Sequence, residues 1–340
     1  MTMWAERALT AVFERVGTTA DEVGERFPLY AEPGTGRWTT TSRGSWTGGF
    51  WAGMLWLRAL ASGAAHDHEA AAVCSARLAY WVEQDTAARG LVLWYGTAPD
   101  AGLRDRAARA CLAAYDPALG IVPWGSAFGG ERLLARADGV PGLVPLLACA
   151  PGGAVAAYRH LVRHLELCLA EEPPRPAWRA LPGGGWAAYD EPAPGWSRTV
   201  AWLLLGVADG IHCLPPQKRA NGLWDAVDRL IGMRLADRTP LIPQQPLDTS
   251  AAAIEAVAAL KLATLVREGG REDVSRHLTL RAEAILQRLG SVHLSPSGGL
   301  IDGCYDAAHG VAVRHELVWG DFFLALGLAI VTGLVGPFAV

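Results

Sequence analysis

The segment "SWTGGFWAGMLWLRALA" (residues 45–61) decides the fold. Trp46, Phe50, Met54, Leu57 and Ala61 recur at steps of four and three, the spacing of one helix face, and Arg58 lies off that stripe. The same period returns in "RTVAWLLLGVADGI" (198–211), where Val200, Leu204, Val207 and Ile211 align. It returns again in "DTSAAAIEAVAALKLATLV" (248–266) through Ile254, Ala258, Leu262 and Leu265, with Asp248, Thr249 or Ser250 as the cap. Further helices are predicted over 4–16, 68–84, 102–114, 140–149, 153–170, 217–236, 271–290 and 318–332, about eleven in all, with no convincing run of alternating strands.

Proline and glycine mark the connections: "EPGTGRW" (32–38), "EEPPRP" (171–176), "LPGGGWAAYDEPAPGW" (181–196), "RTPLIPQQPLD" (238–248) and "SPSGG" (295–299). Short turns alternate with long loops rich in Trp, Gly and Pro. That arrangement suits an all-α closed ring of helical hairpins whose long loops gather on one face around a central cleft. No linker separates two units and no fixed-length repeat points to a solenoid, so one domain spanning 1–340 is expected, with 1–35 an N-terminal helix and loop packed on the ring.

Composition narrows the function. Hydrophobic residues make up 51% of the chain and charged residues 19%, which is a globular balance. The net charge of −4, without blocks of like charge, argues against nucleic acid as a partner. Fourteen tryptophans are many for 340 residues, and indole stacks well on sugar rings as well as filling cores. The six cysteines are widely spaced with no C-x-x-C pair, so neither a zinc cluster nor a disulfide framework is expected. The start, "MTMWAERALTAVFERV", lacks the pattern of a signal peptide, and a cytoplasmic location follows as the expectation. The apolar tail "FFLALGLAIVTGLVGPFAV" (322–340) holds Gly and Pro and lacks basic flanks, so it reads as a buried last helix and no membrane partner is expected. His160 and His164, four apart, read as a surface pair, and no metal site is predicted.

Four strings, in order, resemble the unsaturated glucuronyl hydrolases and their unsaturated rhamnogalacturonyl hydrolase relatives: "SWTGGFWAGMLWL" (45–57), "GWSRTVAW" (195–202), "DTSAAAIEAVAAL" (248–260) and "GGLIDGCYDAAHGVAVRHELVWGDFFLALGLA" (298–329). The resemblance implies an (α/α)6 barrel, a small-molecule sugar or glycoside substrate, and no cofactor. It also implies a reaction that avoids the anomeric centre. The enzyme protonates the C4=C5 enol ether of an unsaturated uronic acid and adds water, and the hemiketal collapses to release the neighbouring sugar. Such chemistry needs a carboxylic acid able to deliver a proton and guide water.

By that resemblance Asp138, in "RADGVPGLVPLL" between an arginine and a Gly-Pro turn, is the catalytic aspartate. Its competing reading is a helix cap. A second aspartate of the family pattern is missing: in "QDTAARG" (84–90) the positions of its His and Asp fall on Ala87 and Ala88. Arg198 resembles a substrate-contacting arginine, since a guanidinium can fork onto a carboxylate. Trp46, Trp51, Trp124 and Trp196 are candidate stacking walls. Asp190, with Glu191, could replace the missing acid, and His315 and Glu316 fall where relatives place substrate-facing polar groups. Loss of the second aspartate keeps two alternatives open. One is a barrel repurposed in actinobacterial specialised metabolism for proton-initiated isomerisation, cyclisation or elimination on a less polar substrate. The other is a non-catalytic sugar-binding protein.

Overall fold

Every second helix of this chain is buried on nearly all sides, and that alternation builds the architecture. The structure is a computed structural model that describes residues 3–216 and 221–340. In chain order the helices pair as α1 (Met3–Val23) and α2 (Gly48–Ser62), α3 (Ala65–Arg77) and α4 (Arg89–Leu93), α5 (Ala101–Ala113) and α6 (Leu143–Cys149), then α7 (Ala154–Cys168) and α8 (Thr199–Cys213), α9 (Asn221–Arg234) and α10 (Thr249–Glu268), and α11 (Glu272–Arg288) and α12 (Val318–Val331). The even-numbered helices touch one another in a closed series, α2–α4–α6–α8–α10–α12 and back to α2. The odd-numbered helices pack outside them, with α1 against α12 and α2, closing the outer ring. This is an (α/α)6 barrel. The periodicity located eleven of these helices, and α4, at five residues, is too short to show a period. The predicted start of α9 at 217 lies outside the described residues.

Helices apolar all round must be buried on every side. In α10 that burial includes Glu255 and Lys261, which are paired: Arg234 holds Glu255 at 2.7 and 2.9 Å, and Lys261 Nζ reaches Asp209 at 2.6 Å. Among the described residues α10 is also the one helix long and apolar enough to cross a membrane, and 94% of it lies inside the barrel. Close approach of the inner helices depends on glycine. A Cβ on Gly49 of α2 would lie 2.3 Å from the carbonyl oxygen of Val92, and one on Gly90 of α4 would lie 2.3 Å from the Leu143 nitrogen. The "TGGFWAG" pattern is therefore a backbone-contact surface as well as a helix stripe. The barrel axis is filled by Phe50, Tyr95, Trp202, Phe322 and Phe323, whose rings meet at centroid distances such as 5.4 Å for Phe50–Phe322 and 5.7 Å for Trp202–Phe323. Trp51 belongs to this apolar interior and is 3% exposed.

Strands occur in the long connections, contrary to the sequence expectation. They are β1 (Phe27–Ala31), β2 (Trp38–Thr41), β3 (Leu134–Arg136), β4 (Ala177–Ala180), β5 (Trp186–Tyr189), β6 (Gly303–Asp306) and β7 (Val311–Leu317). They form two antiparallel sheets, ordered β2-β1-β7-β6 and β3-β4-β5. At three to seven residues each, they are too short for an alternating pattern to stand out.

The first helix is fixed to the barrel by a buried charge cluster. Arg15 on α1 forks onto Glu316 at the end of β7, with both contacts at 2.8 Å. Asp321 in the first turn of α12 accepts from Leu300 N at 2.7 Å and shares a proton with Glu316. Burial first, then the Glu316 charge, pushes the Asp321 carboxyl well above its ordinary range, so it stays protonated and donates. Replacing Arg15 with Met strands a buried carboxylate and should lower unfolding free energy by about 3 kcal/mol. A denaturant titration checks this, and a loss below about 1 kcal/mol would show that the cluster does not hold α1.

Candidate functional site

At one end of the barrel the long connections enclose a cleft of about 790 Å³. Its walls are aromatic: Trp46, Trp124, Phe128, Tyr189, Trp196, Trp202 and Tyr305 all contribute. Trp202 in the wall is also part of the axial aromatic plug, so barrel core and cleft floor share a residue. Trp46 donates its indole N–H to the Tyr305 hydroxyl at 3.2 Å, which fixes two walls against each other. Such a surface suits the apolar faces of sugar rings or another flat ligand.

One wall is held by a fully buried carboxylate. Asp248, the cap of α10, accepts from Ser250 N and Oγ, Ala251 N, Cys304 N, Ser197 Oγ and Arg198 Nη1, at 2.6 to 3.4 Å. Arg198 also donates to the carbonyl of Cys304 and, at 2.8 Å, to that of Tyr305. Its guanidinium lies 4.7 Å above the Trp196 ring and is 2% exposed. Arg198 lines the cleft, and its Nη hydrogen bonds tie the start of α8 to the α10 cap and to β6.

Asp138 lies on the opposite side, in a short 3-10 turn directly after β3, and is 9% exposed. Both its oxygens accept from Arg136, Nε to Oδ1 at 2.9 Å and Nη2 to Oδ2 at 2.8 Å. Residues two apart leaving a strand share a side, which explains the pairing of the two. The Arg136 guanidinium stacks 4.1 Å above the Trp124 ring. Asp138 makes no N-cap hydrogen bond to a helix, so the cap reading fails on geometry.

Two buried histidines on α7 fix this side of the cleft. His160 Nδ1 accepts from Val122 N at 3.1 Å, so its Nε2–H donates to the carbonyl of Gly139, also at 3.1 Å. One imidazole thereby joins the loop bearing Trp124 to the turn bearing Asp138. His164 donates from Nδ1 to the His160 carbonyl at 2.7 Å. The surface pair expected from sequence is instead wholly internal, since both rings are at most 1% exposed. Burial holds both neutral, with His164 pushed down to about 4 and His160 driven well below the imidazole range.

The turn at 84–88 closes the same side. Ala87 N donates to Trp124 O at 3.0 Å, and the Ala87 methyl abuts Gly139, the neighbour of Asp138. Ala88 is fully buried and its methyl offers no polar atom to the cleft. At the outer edge, Asp306 accepts from His309 Nδ1 at 2.8 Å and from its backbone N at 3.1 Å. These bonds hold the Asp306 carboxyl below and the His309 imidazole above their ordinary values. Asp190 pairs with Arg175, Glu131 at the rim accepts from Leu133 N at 3.4 Å, and the Glu191 charge acts on the His309 imidazole.

The structure thus gathers Asp138, Trp46, Trp124, Trp196, Arg198 and Asp190 at one cleft. Trp51, His315 and Glu316 sit elsewhere: Trp51 in the core, His315 edge-on to Tyr30 at 5.6 Å, and Glu316 on Arg15. Sequence reading missed Arg136, Phe128, Tyr189, Tyr305, Asp306 and His309 at the cleft. Only Arg136 left a signal, its i, i+2 spacing from Asp138.

An alternating double ring of helices with an aromatic, carboxylate-bearing cleft at one end defines the (α/α)6 barrel class. Among solved structures the chain is similar to an unsaturated glucuronyl hydrolase from Bacillus sp. GL1, described as responsible for glycosaminoglycan degradation, with TM-score 0.80 and 19% identity over 97% of each chain. An unsaturated glucuronyl hydrolase specific for heparin matches at TM-score 0.83 and 17% identity, over 98% of this chain and 99% of that one. The enzyme from Streptococcus agalactiae matches at 0.78 and 15%, over 96% and 91%. The chain therefore has the fold of the unsaturated glucuronyl hydrolases. No protein-family model matches it, and no curated protein sequence does.

The histidine pair makes the site acid-sensitive. Unfolded imidazoles gain protons below about pH 6.5, whereas the folded ones resist until about pH 4 in the case of His164. Stability is complete above pH 6.5 and is lost as pH falls toward 4. His164 alone should remove about 2 kcal/mol between pH 7 and pH 5. Denaturant titrations at the two pH values should show a smaller drop for His164→Leu than for the wild type; equal drops would contradict this reading.

Proposed function

We propose that the protein is a glycoside hydrolase-like enzyme that hydrates the C4=C5 enol-ether bond of an unsaturated uronic-acid sugar, with Asp138 as its acid. The observation that carries this reading is Asp138 itself, a mostly buried carboxyl set in an aromatic cleft. Support comes from the fold, shared with unsaturated glucuronyl hydrolases, one of which from Streptococcus agalactiae was solved as a mutant complexed with dGlcA-GalNAc6S.

In this reaction Asp138 gives its proton to C4. The π electrons form the new C–H bond, and positive charge collects on C5 and the ring oxygen. Water attacks C5 and returns a proton to the Asp138 carboxylate, so one residue serves as acid and then as base. The hemiketal opens and frees the neighbouring sugar. Trp46, Trp124 and Trp196 provide stacking faces, and Arg198 positions the wall. Asp190, with Glu191, offers rim contacts to the leaving sugar. Trp51, His315 and Glu316 act through packing and the α1 clamp.

A second reading is favoured by Ala88. A buried methyl where the family pattern places a second aspartate suits a less polar substrate whose isomerisation, cyclisation or elimination starts by protonation. It suits a non-catalytic sugar-binding protein as well.

Mixing the protein with unsaturated uronyl disaccharides should bleach the ultraviolet absorbance of the conjugated uronate. Asp138→Asn should lower kcat at least ~100-fold with little change in ligand affinity. No bleaching across a panel of glycosaminoglycan and rhamnogalacturonan disaccharides, or an unimpaired Asp138→Asn enzyme, would contradict the proposal.

A further inference from the structure

Both oxygens of Asp138 are occupied by the Arg136 guanidinium in the unliganded geometry, which leaves that edge of the carboxyl closed to a substrate. We propose that Arg136 is an exchangeable counter-ion: a carboxylate on the bound sugar draws its guanidinium away from Asp138, and that loss turns Asp138 into the proton donor. This inference rests on the hydration reading above and adds to it the switch.

Three observations support the exchange. Among the guanidiniums lining the cleft, Arg198 is tied to Asp248 and two main-chain carbonyls, whereas Arg136 holds only Asp138. Its third nitrogen, Nη1, makes no hydrogen bond among the described residues. Stacking on Trp124 at 4.1 Å leaves the edge of the guanidinium free to meet a ligand while keeping its plane.

The surroundings of Asp138 supply no replacement cation. The Asp138 charge acts on His164 and Cys168 of α7, one a neutral imidazole and the other a thiol pushed up by burial. The 84–88 turn meets Gly139 through the Ala87 methyl, and His160 donates to the Gly139 carbonyl. Once Arg136 forks onto the ligand, Asp138 is left in a low-polarity site beside a second anion. Both effects favour its protonated form, and the proton enters from solvent through the cleft.

Calorimetry at pH 7 in buffers of different ionisation enthalpy tests this with methyl β-glucuronide, which has the carboxylate but no double bond. Binding to the wild-type protein should take up close to one proton. Uptake should vanish in Asp138→Asn and fall in Arg136→Gln, where Asp138 has no guanidinium to lose, and the uronamide analogue should bind without uptake. Failure to bind, binding without uptake, or uptake that survives Asp138→Asn overturns the exchange. The bleaching assay separates the two ideas: turnover without proton uptake removes the exchange and keeps hydration, and uptake without turnover does the reverse.

Discussion

Asp248 is the constraint on which one half of the cleft depends. A fully buried carboxylate is costly unless every lone pair is used. Here it meets that condition by collecting donors from α10, from the loop at 197–198 and from the strand at Cys304. Arg198 extends the same knot to Tyr305. The strings around residues 198, 248 and 304 are far apart in sequence, yet they meet as one electrostatic clamp. Their shared purpose is to hold Trp196 and Tyr305 as walls.

In the opposite half, neutral groups hold the scaffold around the Arg136–Asp138 pair. His160 links the Trp124 loop to the Asp138 turn through one accepted and one donated hydrogen bond, which requires an unprotonated ring. The polar machinery is thus concentrated on Asp138 and Arg136, while the rigid parts around them are uncharged or already neutralised. That separation gives the Arg136–Asp138 pair freedom to respond to a ligand while the walls stay fixed.

Most of the barrel was legible from sequence because its determinants are local and periodic. The stripe through Phe50 and Met54, and the all-round apolar runs of α8, α10 and α12, each announce a buried helix. α4 was invisible because five residues hold barely one turn, and the strands because their pairing is non-local. The site was legible in part. Asp138 and the tryptophans stood out by residue type, but whether a tryptophan faces a cleft or the core is decided by tertiary packing. Trp46 and Trp51, five residues apart on one helical segment, went to opposite fates. In sequence the charges of Arg198 and Glu316 look available to a ligand, and only the fold shows what each is paired with. Their partners, Asp248 and Arg15, lie 50 and 301 residues away.

The central claim is that one carboxyl in an aromatic cleft reaches the reacting carbon. The most direct measurement is a crystal structure of the Asp138→Asn protein with an unsaturated uronyl disaccharide. The account predicts the C4 carbon about 3 to 3.5 Å from the side chain at position 138, the uronate carboxylate on Arg136, and the ring stacked on a cleft tryptophan. A ligand whose double bond lies against Glu191 or Asp306, with position 138 out of reach, would contradict it.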